Sequence, residues 1–178
     1  MAAAGDHFKM PDGSVYIVRH PAAETDGRWV EMEFVLPRGC VPPPPHVHRQ
    51  QVEEYEVLEG SLDVVIDGQW QALAPGQSVS VPVGALHTFR NRSGGVVRVL
   101  NRHRPGLRFE DFIERMSTTL RAAGVKRKRD PRVPLYFSMV MLDFDDTLVP
   151  GRLRERVPME VLARIARALP AASLTHHS

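Results

Sequence analysis

Residues 39–60 read Gly-Cys-Val-Pro-Pro-Pro-Pro-His-Val-His-Arg-Gln-Gln-Val-Glu-Glu-Tyr-Glu-Val-Leu-Glu-Gly. His46 and His48 are two residues apart, so on an extended strand both imidazoles leave one face while Val47 turns away. Glu53 stands five residues beyond His48. That odd offset would put it on the opposite face of an unbroken strand, so a turn or bulge is expected across Arg49-Gln50-Gln51. Glu53 to Leu58 then reads as a strand, with Glu53, Tyr55 and Val57 on one face and Glu54 and Glu56 on the other. Glu59-Gly60 closes it with a turn. The prolines before His46 hold Val41 to Pro45 extended, which lowers the entropy cost of positioning the first imidazole.

A second stretch, Gly76 to Asn91, alternates polar and apolar residues from Ser78 to Val81, breaks at Pro82-Val83-Gly84 and restarts at His87. Together the two stretches supply His46, His48, Glu53 and His87, a donor set for one metal ion. A lone histidine on an apolar strand is more often a hydrogen-bonded core residue, so the case rests on the four together. Glu54 is the rival of Glu53. The spacing to Gly60 and the face shared with Tyr55 favour Glu53.

These stretches resemble the paired motifs of the cupin superfamily. The first motif is Gly, about five residues, His-x-His, three or four residues, Glu, six residues, Gly. Here six residues separate Gly39 from His46, four separate His48 from Glu53, and six separate Glu53 from Gly60. The second motif is met by Gly76, Pro82, Gly84, His87 and Asn91 without a gap. The resemblance covers roughly Ser14 to Arg102, and only Gly39 is displaced. It implies an all-β, cupin-type double-stranded β-helix, a jelly-roll barrel, here followed by C-terminal α-helices. It also implies that His46, His48, Glu53 and His87 are metal ligands. The cofactor is then one divalent transition metal ion: Fe, Mn, Ni, Co, Zn or Cu. Two enzyme classes follow from open metal positions, a quercetinase-like dioxygenase and an isomerase or cyclase using the metal as Lewis acid. Glu53 is the candidate catalytic base in either. A non-catalytic small-molecule binding protein is the alternative. Tyr55, Met32, Phe34, Phe89 and Arg90 are the candidate substrate-pocket residues, Arg90 the weakest because alternation turns it from the His87 face.

The bulk numbers agree with a globular chain. Its 178 residues suit one domain, and its apolar content of 43% and charged content of 25% are ordinary. A formal net charge of +2 gives no argument for nucleic acid. One cysteine, Cys40, excludes an internal disulfide and is expected to be a small apolar filler in a reducing compartment. No apolar run is long enough for a membrane span, and the start lacks the basic and apolar regions of a signal peptide. The expected partners are a small-molecule ligand and a second copy in a homodimer, with no nucleic acid and no membrane, in the cytoplasm.

In order, residues 1–13 are expected as a loose tail, 14–104 as the barrel and 105–178 as a helical extension. Ser14 to Arg19 and Trp29 to Leu36 read as strands. In the latter, Val30, Met32, Phe34 and Leu36 face inward, and Glu31 and Glu33 are expected in solvent. Ser61 to Asp67 and Gln69 to Leu73 form a hairpin through Asp67-Gly68. Val96 to Asn101 reads as the last strand. Beyond it, Phe109, Phe112, Ile113, Met116 and Leu120 fall at helical spacing before Gly124. Leu135 to Leu148 is assigned to helix. Met159 to Leu169 is expected as another, with Val161, Leu162, Ile165 and Leu169 buried. The extension is expected to cover the outer sheet or clasp a partner subunit.

Two further signals point elsewhere. Asp143-Phe144-Asp145-Asp146-Thr147 matches the first motif of haloacid-dehalogenase-type phosphatases, but too little chain follows and it contains no lysine. A solvated acidic helix end is expected instead. Lys126-Arg127-Lys128-Arg129 is expected to be a solvated loop at a helix C-terminus.

Overall fold

The computed structural model describes residues 2–151 and 153–169. His176 and His177 lie outside them. The chain folds into two antiparallel sheets followed by three α-helices, so it is not purely β. Eleven strands are described: β1 (His7–Lys9), β2 (Val15–His20), β3 (Val30–Leu36), β4 (His46–Val47), β5 (Val52–Glu59), β6 (Leu62–Ile66), β7 (Gln69–Leu73), β8 (Ser78–Val81), β9 (His87–Arg90), β10 (Val97–Arg104) and β11 (Val149–Pro150). One sheet has the order β1-β2-β3-β10-β5-β8, the other β11-β4-β9-β6-β7. The helices are α1 (Phe109–Ala122), α2 (Val133–Asp143) and α3 (Leu153–Ala168).

Alternation sets the faces. Met32, Phe34, Tyr55, Val57, Leu62, Val64, Val97 and Val99 fill the space between the sheets, as two-residue periodicity requires. Asp67 and Gly68 both have positive φ, 48° and 86°, which is the turn twist a two-residue hairpin needs. Gly60 also has positive φ, and a Cβ there would stand 2.7 Å from the Val96 carbonyl oxygen, so the end of β5 tolerates no side chain against β10.

Several expectations are corrected. Residues 7–9 are not a loose tail, because they pair with β2. The last strand runs on to Arg104 rather than ending at Asn101. Its outward residue Arg102 finds Glu31 and Glu54, and Arg104 finds Glu54, which keeps a polar run in strand conformation. The helical stretch also returns to the barrel, where β11 pairs with β4. In α3, among the described side chains, the buried residues are Ala163 and Ala166, while Val161 and Ile165 are about half exposed, 51% and 47%. Small alanines let α3 lie close against α2, which a face of Val and Ile would hold away.

Glu31 and Glu33 face outward but are not in solvent; they are 7% and 1% exposed. Glu33 accepts hydrogen bonds from Arg98 (2.7 Å) and Arg19. Burial pushes its carboxyl up, but those bonds and the two guanidinium charges outweigh this and hold it below the usual range. A carboxyl depressed in the folded state stabilises the fold above its unfolded value of about 4.3, and that contribution is lost as pH falls through the folded value. Glu33→Gln is therefore expected to cost on the order of 2 kcal/mol at pH 7, and less below about pH 4. Denaturant unfolding at pH 7 and pH 3 checks this; an equal loss at both would contradict the ion pairing.

Candidate metal centre

The polyproline entry, Val41 to Pro44, runs extended into β4 and delivers His46 opposite His87 of β9 in direct cross-strand register. His48 follows β4 immediately. The chain then bends at Arg49-Gln50, where the odd offset between His48 and Glu53 demands it. Gln51, fully buried, fixes the bend by donating its amide to the carbonyls of Pro105 and Gly106, both at 2.9 Å. β5 then enters the other sheet with Glu53 facing in. His46, His48 and His87 thus come from one sheet and Glu53 from the other. Each offers one donor atom, and the four atoms lie within 4.8 Å of one another. All four residues are buried, at 6%, 1%, 1% and 2% exposure for His46, His48, His87 and Glu53.

The imidazoles are oriented alike. His46 Nδ1 donates to the Pro44 carbonyl at 2.9 Å, His48 Nδ1 to the Thr147 carbonyl at 2.6 Å and His87 Nδ1 to the Ala85 carbonyl at 2.9 Å. A carbonyl only accepts, so each ring keeps a proton on Nδ1 and turns Nε2 inward. That is the arrangement in which a histidine binds a metal. Glu53 Oε1 accepts a hydrogen bond from Asn101 Nδ2 at 2.8 Å. Glu53 Oε2 and His87 Nε2 stand 2.7 Å apart, yet neither buried atom has a hydrogen-bond partner. Buried polar atoms are seldom left unpaired, and a cation placed between them would satisfy both. The His-His-Glu-His cluster fits a divalent metal site on these observations.

Electrostatics support this donor state at His46 and Glu53. Burial, with the neighbouring His87 and His48, pushes His46 down to about 3, so its ring stays neutral. Burial would raise Glu53, but the surrounding His103, His87 and His48 outweigh it and hold the carboxyl well below its ordinary value. His87 is lowered by burial and raised further by the Glu53 carboxylate, with a net upward shift.

A cavity of about 160 Å³ opens against His46 and Glu53. Its walls are mainly apolar: Tyr16, Phe34 and Phe89 from the sheets, Phe109, Phe112 and Met116 from α1, and Phe137 from α2. Asp12 and Lys128 stand among the lining residues as its charged groups beside Glu53. The helical extension therefore forms part of the cavity wall.

The five expected pocket residues divide. Phe34 and Phe89 line the cavity, their ring centroids 6.0 Å apart. Met32 is fully buried in the core and does not line it. Tyr55 is packed edge-on against Phe89 at 5.6 Å, with its hydroxyl buried and unpartnered. Arg90 faces away, with Nε 3.1 Å from Asp63 and its guanidinium 3.6 Å above the Trp70 ring; its odd offset from His87 puts it on the outer face. Asn91 holds the following loop, donating to the carbonyls of Leu36 and Gly95 at 2.9 Å each. Glu54 points outward to Arg102 and Arg104.

Three contributors escaped the sequence reading. Asn101 and His103 of β10 face the site because alternation continues past Asn101, a signal present in Val97-Val99-Asn101-His103 but obscured by the intervening arginines. Thr147 contributes only its carbonyl, so side-chain identity gives no hint of it. The acidic run around it ends α2, but it is ion-paired and partly buried rather than freely solvated: Asp143 pairs with Arg167 at 2.6 Å and Asp146 with Arg108 at 2.5 Å.

Residues 32–102 match the family model of the cupin domain. Over 59 residues the chain is 37% identical to the HTH-type transcriptional regulator PuuR of Escherichia coli (strain K12), covering 33% of this chain and 32% of that protein. It thus spans about a third of the length of the curated relatives it matches. Among solved structures, KdgF from Halomonas sp. is similar in fold, with TM-score 0.50 and 18% identity over 56% of this chain and 87% of that one. TT1209 from Thermus thermophilus is 30% identical, with TM-score 0.43, over 45% of this chain and 75% of that one. No described helix is long and apolar enough to cross a membrane. With both histidine-bearing motifs inside the matched segment, residues 32–102 form a cupin domain.

Proposed function

We propose that this chain is a metal-dependent cupin enzyme acting on a small, largely apolar molecule that carries adjacent oxygen atoms, with dioxygenase-type chemistry. The observation that supports it best is the conjunction of three inward Nε2 atoms and a buried carboxylate with an aromatic cavity opening onto them. His46, His48, His87 and Glu53 would hold the ion. A divalent transition metal held there would supply Lewis acidity toward a substrate oxygen and activation of dioxygen.

The chain's own residues set the rest. Apolar cavities of roughly 150 Å³ take up benzene, so about 160 Å³ has room for one aromatic ring or a diketone of similar size, with anything larger extending through the mouth. Phe34, Phe89, Phe109 and Phe112 bind the ring and exclude water. Glu53 is held ionised and would serve as base for an acidic substrate hydroxyl or carbon acid only when its Oε2 is released from the ion.

The likeness to a protein named as a transcriptional regulator favours a second reading, in which the same site binds a small molecule without converting it. Dioxygen uptake with metal-loaded protein separates the readings. Catechol-sized phenols and small β-diketones are expected to be consumed with stoichiometric oxygen uptake. Isomerised product without oxygen uptake supports the Lewis-acid alternative, and saturable binding with neither supports the binding protein.

A further inference from the structure

The cage contains a fourth histidine that the donor set does not use. His103, on β10, is fully buried. Its Nε2 is hydrogen-bonded to His48 Nε2 at 3.4 Å and lies 3.4 Å from Glu53 Oε1. Its ring stacks on Phe109 with centroids 3.7 Å apart. In one respect it differs from its three neighbours. Their Nδ1 atoms all rest on main-chain carbonyls, whereas His103 Nδ1 is buried without a partner.

That difference assigns the proton. An N–H on Nδ1 would be a buried donor with nothing to accept it, which is costly. The single proton of the neutral ring therefore sits on Nε2, pointing into the cage. There it meets two acceptors. One is His48 Nε2, whose lone pair is free only while no ion is bound, its own proton being committed to Thr147. The other is Glu53 Oε1, which already accepts from Asn101. A histidine that ligates a metal almost always donates its second ring N–H to an acceptor. His103 has none, so it is not equipped to be a fifth ligand.

We propose that His103 is a positioning residue: its Nε2–H, together with the Asn101 amide, holds Glu53 by Oε1 and reserves Oε2 for the metal ion. This deepens, and depends on, the metal-site reading above. Oε2 is the carboxylate oxygen that lies 2.7 Å from His87 Nε2 and lacks a hydrogen-bond partner, as an oxygen kept for a cation should.

The test is titration of Co(II) into the metal-free full chain, followed by visible absorption, for the wild type, His103→Leu and His103→Gln. Circular dichroism and thermal unfolding confirm the fold. A glutamine amide restores an N–H near the Nε2 position, and leucine does not. His103→Leu is expected to keep one Co(II) per chain but bind it about 10–100-fold more weakly, and His103→Gln is expected to recover most of that loss. In pulsed EPR of the Cu(II)-loaded chain, the number of coupled imidazoles is expected to be the same in wild type and His103→Leu. One imidazole fewer in the leucine variant makes His103 a ligand and overturns the proposal, as does wild-type affinity in that variant. Should His103→Leu fail to fold, Asn101→Leu removes the other donor to the same oxygen and is expected to weaken Co(II) comparably; unchanged affinity there also overturns the proposal. If the wild type binds no Co(II), the metal site itself fails and the proposal with it, an outcome distinct from a working site indifferent to His103.

Discussion

His48→Ala is expected to reduce bound transition metal from near one ion per chain to near none, and to abolish any metal-dependent turnover. His48 is held from both ring nitrogens: it is 1% exposed, with Nδ1 on the Thr147 carbonyl at 2.6 Å and Nε2 3.5 Å from Glu53 Oε2. Alanine removes one of the four donors that would hold the ion. It also opens a cavity beside His103 and Phe109, so a stability loss of about 1–3 kcal/mol accompanies the change. Metal analysis by mass spectrometry on natively expressed protein, with circular dichroism as the fold control, checks the prediction. Full metal occupancy in a folded His48→Ala variant would remove this residue from the site.

The second large effect is expected far from the donors in sequence. Gly151→Val should lower stability by about 3 kcal/mol and weaken metal binding about 10–100-fold. Gly151 follows β11, and its N–H donates to the Pro45 carbonyl at 3.1 Å. A Cβ there would stand 2.2 Å from Leu86 Cδ1 and 3.0 Å from the Pro45 oxygen. The Leu86 tip can swing aside, but the Pro45 main chain cannot yield without moving β4, whose His46 is paired with Pro150. The variant therefore pushes β11 away from His46 and draws the Thr147 carbonyl from His48. Thermal unfolding and Co(II) titration on the same preparation measure both effects. A destabilised variant with unchanged metal affinity would show that the extension supports the barrel without supporting the imidazoles.

The candidate site was legible wherever local spacing carries the chemistry. The two-residue step from His46 to His48 and the odd step to Glu53 anticipate a shared face and the bend at Arg49-Gln50, because strand geometry leaves no other way to gather them. Glu53 rather than Glu54 follows from the same parity. Arg90 fails as a pocket residue on that parity too. Met32 and Tyr55 have the inward parity but are not among the residues that line the cavity.

Other features depend on partners that parity cannot name. Glu31 and Glu33 read as solvent-facing because alternation tells outside from inside; it does not reveal that arginines from β2 and β10 cover the outside. His103 was obscured for a related reason: a run of Asn-Arg-His-Arg looks like a connection until Glu31 and Glu54 take up its charges. The buried face of α3 was misassigned because hydrophobicity ranks Val and Ile above Ala, whereas close packing on α2 selects the smaller residue.

The sequence by itself determined the sheet-forming core, the paired motifs and the four side chains that can hold a metal ion, because each follows from periodicity and from short spacings along one chain. Only the tertiary structure decided how that site is completed. It placed Asn101 and His103 against Glu53, brought the Thr147 carbonyl to His48 across 99 residues, and made α1 and α2 part of the cavity wall. Those contacts join segments distant in the chain, several through main-chain atoms, and a backbone carbonyl leaves no trace in the identity of the residue that carries it.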